Sequence, residues 1–196
     1  MSQLSFFSAQ SVPPAVADLT GVLAASGQIV LVGAPAVQGA RLSVVVDQLW
    51  RASALAEMIK AAGLVPEITH TEENTPLVRT AVDMLLCDIS AEWTCGAVKM
   101  VPHRWMPGPR ELRAWILTAG RPEGDRYLLG LDPHAPETHA SLASALMRVG
   151  IAPTLIGARG GRPALRISGR RRLLRLVENV GEPPDIEGAL SQWPCV

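Results

Sequence analysis

The sequence predicts an α+β fold made of two tandem halves, each running α-β-β-α-β-β-α, so that one polypeptide forms a monomeric pseudo-dimer. Three observations predict it. Residues 54–68 (ALAEMIKAAGLVPEI) and 141–155 (SLASALMRVGIAPTL) align without a gap at a spacing of 87. The same spacing carries Val78-Arg79-Thr80 onto Leu165-Arg166-Ile167. At a spacing of 85, Arg41 to Asp47 (RLSVVVD) falls on Arg126 to Asp132 (RYLLGLD). A helix, its closing glycine, a proline and two strands recurring in one order mark a duplicated unit.

The elements follow from periodicity. Leu55, Met58, Ile59 and Ala62 make one apolar face of a helix over 51–63, with Gly63 where a C-terminal glycine cap belongs. Leu142, Leu146 and Val149 repeat that face over 139–149, ended by Gly150. Short β-rich runs follow at 66–71 and 77–82 in the first half and at 153–159 and 163–168 in the second. Glu73-Asn74-Thr75 and Gly160-Gly161 are the turns between them. Helices over 83–93 and 170–180 close the halves, and helices near 14–26 and 109–119 open them. The opening strand of the second half, near 121–125, has weak strand character and reads equally as a turn. The expected boundaries are a tail at 1–13, a first repeat at 14–93, a linker at 94–108, a second repeat at 109–182 and a tail at 183–196.

Residues 19–27 read LTGVLAASG and open the first half, while 112–120 read LRAWILTAG and open the second. The first keeps the leading Leu, the Gly, the Ala and the final Gly of the signature LAGLIDADG, and the second is a looser match. Over about residues 14–181 the chain resembles the LAGLIDADG homing-endonuclease fold, most of all the LAGLIDADG domain of WhiA-type regulators, whose motifs are also degenerate. Those regulators add a helix-turn-helix domain, for which no room is expected after the second repeat. The resemblance implies two antiparallel sheets forming a saddle on duplex DNA, with the two motif helices side by side between the halves. Small residues four apart suit such a contact: Gly21 and Ala25 in the first helix, Ala114 and Thr118 in the second. It also implies a carboxylate just before each final Gly to hold the metal for phosphodiester cleavage. Those positions are Ser26 and Ala119. Alanine has no ligand atom and a neutral serine is a poor substitute for a carboxylate, so a non-catalytic protein without metal or cofactor is expected.

Alternation assigns the strand faces. The pairs Leu42/Tyr127, Val44/Leu129, Val46/Leu131, Val78/Leu165 and Thr80/Ile167 face the helices, which turns Arg41, Arg79, Arg126 and Arg166 to the open side. Arg159 and Arg162 flank a hairpin turn and extend this set. Asp47, Glu67 and Asp132 are expected to add negative charge to the same face. Duplex DNA is therefore the expected partner, with exposed arginines kept for solubility as the plain alternative. A protein-docking role for the same sheet is the competing reading.

Net charge is zero but unevenly distributed. Residues 1–93 hold four basic and nine acidic side chains, and residues 94–182 hold fourteen basic and seven acidic. Sixteen of the eighteen basic residues are Arg, which suits phosphate recognition and also fits a GC-rich bacterial genome. The linker carries Lys99, His103, Arg104 and Trp105, with Arg110 just after it, and Lys99 and Arg104 are further candidates for nucleic-acid contact. Arg170, Arg171, Arg172 and Arg175 begin the last helix, where positive charge is locally unfavourable. They read as a solvated face or as the site of an anionic partner.

Gln3-Leu4-Ser5-Phe6-Phe7 resembles the pentapeptide with which bacterial proteins dock on the replicative sliding clamp. Gln3, Leu4, Phe6 and Phe7 are the candidate contacts, and the alternative is that this tail packs on its own domain. A link to replication or transcription machinery follows from these readings. His134 and His139, five apart at a helix start, are poorly placed to share a metal and are expected at the surface, and Cys95 with His103 lack two further ligands of a structural zinc site. No run of 18 apolar residues suggests a membrane span. The first residues carry no basic group before a short apolar stretch, unlike a secretory signal. Three cysteines without pairing pattern fit reduced thiols in a cytoplasmic protein.

Overall fold

The computed structural model describes residues 8–34, 37–157 and 162–196. A 3-10 turn at Val16–Leu19 runs into helix α1 (Thr20–Ala24), followed by the strands β1 (Gln28–Val32) and β2 (Gly39–Val45). Helix α2 (Leu49–Ala61), strands β3 (Pro66–His70) and β4 (Pro76–Thr80), and a 3-10 turn entering α3 (Cys87–Trp93) complete the first half. The expected linker begins with a small hairpin, β5 (Thr94–Cys95) and β6 (Val98–Lys99). The second half repeats the order with α4 (Pro109–Ala119), β7 (Gly120–Glu123), β8 (Arg126–Gly130), α5 (His139–Arg148), β9 (Thr154–Ile156), β10 (Ala164–Ile167) and α6 (Arg170–Val180). A short helix α7 (Ala189–Gln192) follows.

The two four-stranded sheets have the same antiparallel topology, β1-β2-β4-β3 and β7-β8-β10-β9. Their registers also agree. Val44 pairs with Val78 and Val78 with Ile68, just as Leu129 pairs with Leu165 and Leu165 with Leu155. A one-residue slip would reverse the faces of an entire strand, so matching registers mean matching cores. The inward residues Leu42, Val44, Val78, Tyr127, Leu129, Leu165 and Ile167 are all buried. β7 is a full strand despite Pro122, because it pairs only with β8 and an edge strand tolerates a missing N–H.

The repeated helices end alike. Gly63 and Gly150 have φ of 83° and 81°, a left-handed conformation that a Cβ disfavours. The amide of Gly63 bonds Lys60 O and that of Leu64 bonds Ile59 O; Gly150 to Met147 O and Ile151 to Leu146 O repeat the pattern.

Between the halves, α1 and α4 pack closely. A Cβ built on Gly21 would lie 1.9 Å from Glu111 O and 2.9 Å from the Ala114 Cβ. Ala25, Ala114 and Thr118 are buried, and Thr118 donates its hydroxyl to Ala114 O at 2.8 Å. Leu19, Val22, Leu23, Leu112, Trp115, Ile116 and Leu117 join the two sheet cores into one. The chain after 182 is seated on the second half: the Trp193 indole donates to Gly181 O at 2.8 Å, its ring lies 4.9 Å from the Arg113 guanidinium, and Tyr127 donates to Gln192 O at 2.8 Å. Burial pushes the Tyr127 hydroxyl pKa up and lowers that of Arg113 to about 10. No helix among the described residues is long and apolar enough to cross a membrane.

Candidate nucleic-acid interface

The open face of each sheet is set by strand register. On the first sheet one outward row runs Gln28, Ser43, Arg79, Glu67, and the next pairs Val30 with Arg41. On the second sheet the corresponding row runs Arg121, Leu128, Arg166, Thr154, and the next pairs Glu123 with Arg126. Arg41, Arg79, Arg126 and Arg166 thus all stand on the side away from the helices, where Leu128, between Arg121 and Arg166, is itself buried. Arg121 and Arg166 flank β8 and stand roughly 10 Å apart, two strand spacings.

These arginines are partly committed. Arg79 Nη2 lies 3.3 Å from Glu67 Oε1, Arg166 Nη1 3.6 Å from Glu123 Oε2, and Arg126 Nε 3.5 Å from Asp125 Oδ1. The Nε atoms of Arg41 and Arg79 are shielded from solvent and bond no acceptor among the described residues. At the edge of both sheets lies a cavity of about 300 Å³ whose walls include Ser26, Ala119, Asp47, Arg51, Arg121 and Arg162. The two motif positions, Ser26 and Ala119, therefore open into one space, whose walls also carry Arg121, Arg162 and the exposed carboxylate of Asp47.

Each motif helix ends on a buried cation. Arg51 donates through Nη1 to Ile116 O at 2.8 Å and Leu117 O at 3.2 Å, and through Nη2 to Gly120 O at 2.5 Å. Its Nε lies 3.0 Å from Asp47 Oδ1. Lys99 Nζ donates to Ala25 O at 2.8 Å and to Asp132 Oδ2 at 2.7 Å. Asp47 and Asp132 are equivalent in the repeat, so each half contributes one aspartate to such a pair. Cations at a helix C-terminus meet its unpaired carbonyls and the negative end of its dipole. Burial is the largest influence on both cations and lowers the pKa of Arg51 and of Lys99 against the pull of their aspartates. For Asp132, burial alone raises the pKa, but hydrogen bonds from Lys99 and the His134 amide outweigh it and hold the carboxyl below its usual 3.8.

Several expected contacts lie elsewhere. Lys99 is buried in the Asp132 pair and is not available to an outside ligand. Asp132, expected on the open face, is buried because β8 ends at Gly130 and strand alternation no longer sets its direction. His139, expected at the surface, is buried with its Nε2 2.8 Å from Asp132 O. Arg104 is exposed, but its loop lies along α5, where Arg148 Nη2 donates to Trp105 O at 2.7 Å, and so does not share the open sheet face. Trp105 itself packs between Trp93 and Trp115, with ring centroids 5.0 and 6.3 Å away. Arg110 and Asp18 form a part-buried ion pair at 2.5 Å. Arg162 is exposed at the central cavity. Arg159 and the tail residues Gln3, Leu4, Phe6 and Phe7 lie outside the described residues.

Two residues were not singled out by the sequence. Arg121 was hidden by the weak strand character of β7. Arg51 sits four residues after Asp47, a spacing that places both at the start of one helix, and this was the available signal.

The fold defined by these twin sheets and paired helices is the LAGLIDADG fold. No protein-family model matches the chain, and no curated protein matches it in sequence. Solved structures match it strongly. The N-terminal LAGLIDADG domain of DUF199/WhiA superposes with a TM-score of 0.56 at 16% identity, covering 85% of this chain and 82% of that domain. The homing endonuclease I-WcaI bound to its DNA recognition sequence gives 0.59 at 10% identity, covering 88% and 83%. Full-length DUF199/WhiA from Thermatoga maritima gives 0.58 at 16% identity; the match covers 85% of this chain but only 55% of that longer protein.

Proposed function

We propose that the protein is a non-catalytic nucleic-acid-binding protein that lays the open faces of its two sheets along duplex DNA. The observation that carries this reading is the repeat-related placement of Arg41 with Arg126 and Arg79 with Arg166 on the same side of both sheets, joined by Arg121. The fold supports it, since I-WcaI of the same fold is solved bound to its DNA recognition sequence. Guanidinium groups suit phosphate oxygens through paired N–H donors. The reading as non-catalytic is supported by Ser26 and Ala119 at the motif positions and by the cations that cap both motif helices.

Fluorescence anisotropy with a labelled duplex across a salt series tests the interface. Four phosphate contacts give a slope of log K against log salt of about −4, at roughly 0.9 each. Replacing Arg79 and Arg166 together by Ala should weaken binding and flatten the slope by about 2. An unchanged slope would remove these arginines from the interface. Supercoiled plasmid incubated with Mg²⁺ or Mn²⁺ should stay intact, and metal-dependent nicking would overturn the non-catalytic reading.

A protein-docking role has one observation in its favour. Val30, Val32 and Val45 on the open face of the first sheet are 53%, 38% and 46% exposed, an apolar surface that phosphates do not cover. Partner capture by a protein with no salt-sensitive DNA affinity would favour it.

A further inference from the structure

We propose that a second phosphate-binding surface lies where the C-terminal end of α5 meets the start of α6, and that it takes a second DNA duplex, so that one molecule bridges two duplexes. This rests on the reading of the protein as a duplex binder and adds a surface on the other side of its second sheet. Arg148, Arg170, Arg171, Arg172 and Arg175 surround an open cavity of about 750 Å³, together with Met147, Val149, Gly150, Ser168 and Gly169. No carboxylate lines it. All five arginines are exposed, and none is in an ion pair among the described residues. The arginines of the open sheet face, by contrast, share their side with Glu67, Glu123 and Asp125.

The patch is partly pre-arranged. Arg175 Nε donates to Val149 O at 3.1 Å and lies over Gly150, where a Cβ would come within 3.1 Å of it. Arg148 is tied to Trp105 O and Arg172 Nη1 to Ser168 O at 3.3 Å. Arg170 and Arg171 have no side-chain partner among the described residues. Five unpaired like charges repel one another, and those at the start of α6 also face the positive end of its dipole. A polyanion relieves both effects. Arg, more than Lys, suits phosphate oxygens.

Geometry separates the two surfaces. α5 and α6 bury Leu142, Leu146, Leu173 and Leu176 on the inner side of the second sheet with Tyr127, Leu129, Leu165 and Ile167, whereas Arg121, Arg126 and Arg166 stand on its outer side. A helix about 10 Å across lies between them, so one straight stretch of duplex does not touch both. Stable anchoring on a membrane takes an apolar stripe free to insert beside the basic cluster. The stripe of α6, Leu173, Leu176 and Val180, is buried in the core instead.

The test uses the whole protein and two short duplexes, one carrying a donor dye and one an acceptor, with stoichiometry from sedimentation. The native chain should bind two duplexes and give energy transfer between them. Arg170→Ala/Arg171→Ala/Arg172→Ala should bind one duplex with its affinity within about twofold of the native first site and give no transfer, while Lys at all three positions should restore bridging. These side chains are exposed, and an unchanged melting temperature checks the fold. Arg121→Ala/Arg126→Ala/Arg166→Ala should retain one duplex, now at the patch. Two bound duplexes in the patch variant, or only one in the native protein that is lost in the sheet variant, overturns the proposal. One duplex lost only in the patch variant would instead overturn the sheet reading and leave the patch as the phosphate surface. Patch-dependent binding to phosphatidylglycerol vesicles with no second duplex would also overturn it.

Discussion

The two sheets share a register and differ on the side that faces away from the core. In the first, the open face carries Val30, Val32, Val45 and half-buried Leu77 beside two arginines and Glu67. In the second it carries Arg121, Arg126 and Arg166 beside Glu123. The aspartates that end the repeated segment differ as well. Asp132 is 3% exposed and holds Lys99, while Asp47 is 71% exposed and leans on Arg51. Packing fixes the inward positions equally in both halves, since any change of volume there is felt at once. The outward positions are free to diverge, and divergence has left the first face with more exposed apolar surface and the second with more arginine.

The largest expected contrast is between the two aspartates. Asp132→Ala leaves a buried ammonium without its carboxylate and should cost about 3–5 kcal/mol, whereas Asp47→Ala removes a largely exposed carboxylate from a buried guanidinium that keeps three carbonyl acceptors, and should cost clearly less. Urea unfolding of both variants measures this, and equal costs would erase the distinction. The pair also sets an acid limit. Because the Asp132 carboxyl is held below 3.8 in the folded chain, its contribution is complete above about pH 4 and is lost as the pH falls through the lowered value. Asp132→Asn should flatten the stability profile in that window, and an unchanged profile would count against the pair.

Next in size is DNA affinity. In a chain that also carries Arg170→Ala/Arg171→Ala/Arg172→Ala, replacing Arg121, Arg126 and Arg166 by Ala should weaken duplex binding at the sheet face by about a thousandfold, at roughly tenfold per contact. Replacing Arg41 and Arg79 should have a clearly smaller effect, and anisotropy titrations that rank them the other way would make the first sheet the main contact. Of comparable size for stability, Gly21→Ala forces a Cβ against the Glu111 carbonyl and should cost about 1–3 kcal/mol, read as a lower urea midpoint with an unchanged slope. The smallest effect is on the paired acids. Glu67→Gln and Glu123→Gln release Arg79 and Arg166 and should each tighten binding a few-fold at low salt; weaker binding would give the acids a direct role in recognition.

The sequence made the skeleton legible because its punctuation is physical. Gly63 and Gly150 end helices in a conformation that suits glycine, and the alternation of Arg41 to Val45 and of Leu77 to Thr80 carries through to their burial. Beyond the strand ends alternation loses its meaning, which is why Asp132, expected outside, lies inside. Arg121 was missed because an edge strand needs only one hydrogen-bonded side and can include a proline. Lys99 was misjudged because a lysine in a Pro- and Gly-rich stretch gives no sign that a helix terminus and an aspartate distant in sequence will enclose it.

The capping cations also bear on how a duplicated protein becomes a single one. A homodimer of one half would have to present two identical caps. Here Arg51 of the first half closes the helix of the second, yet at either repeat spacing its counterpart, Pro136 or Thr138, is a neutral residue. The matching cap comes from Lys99, in a connecting segment that separate copies would not possess. Neither half contains the full set of groups that close its own opening helix, so separated fragments would each expose raw carbonyls. Fusion of the halves has thereby become part of the fold's chemistry, and the join can no longer be cut without cost.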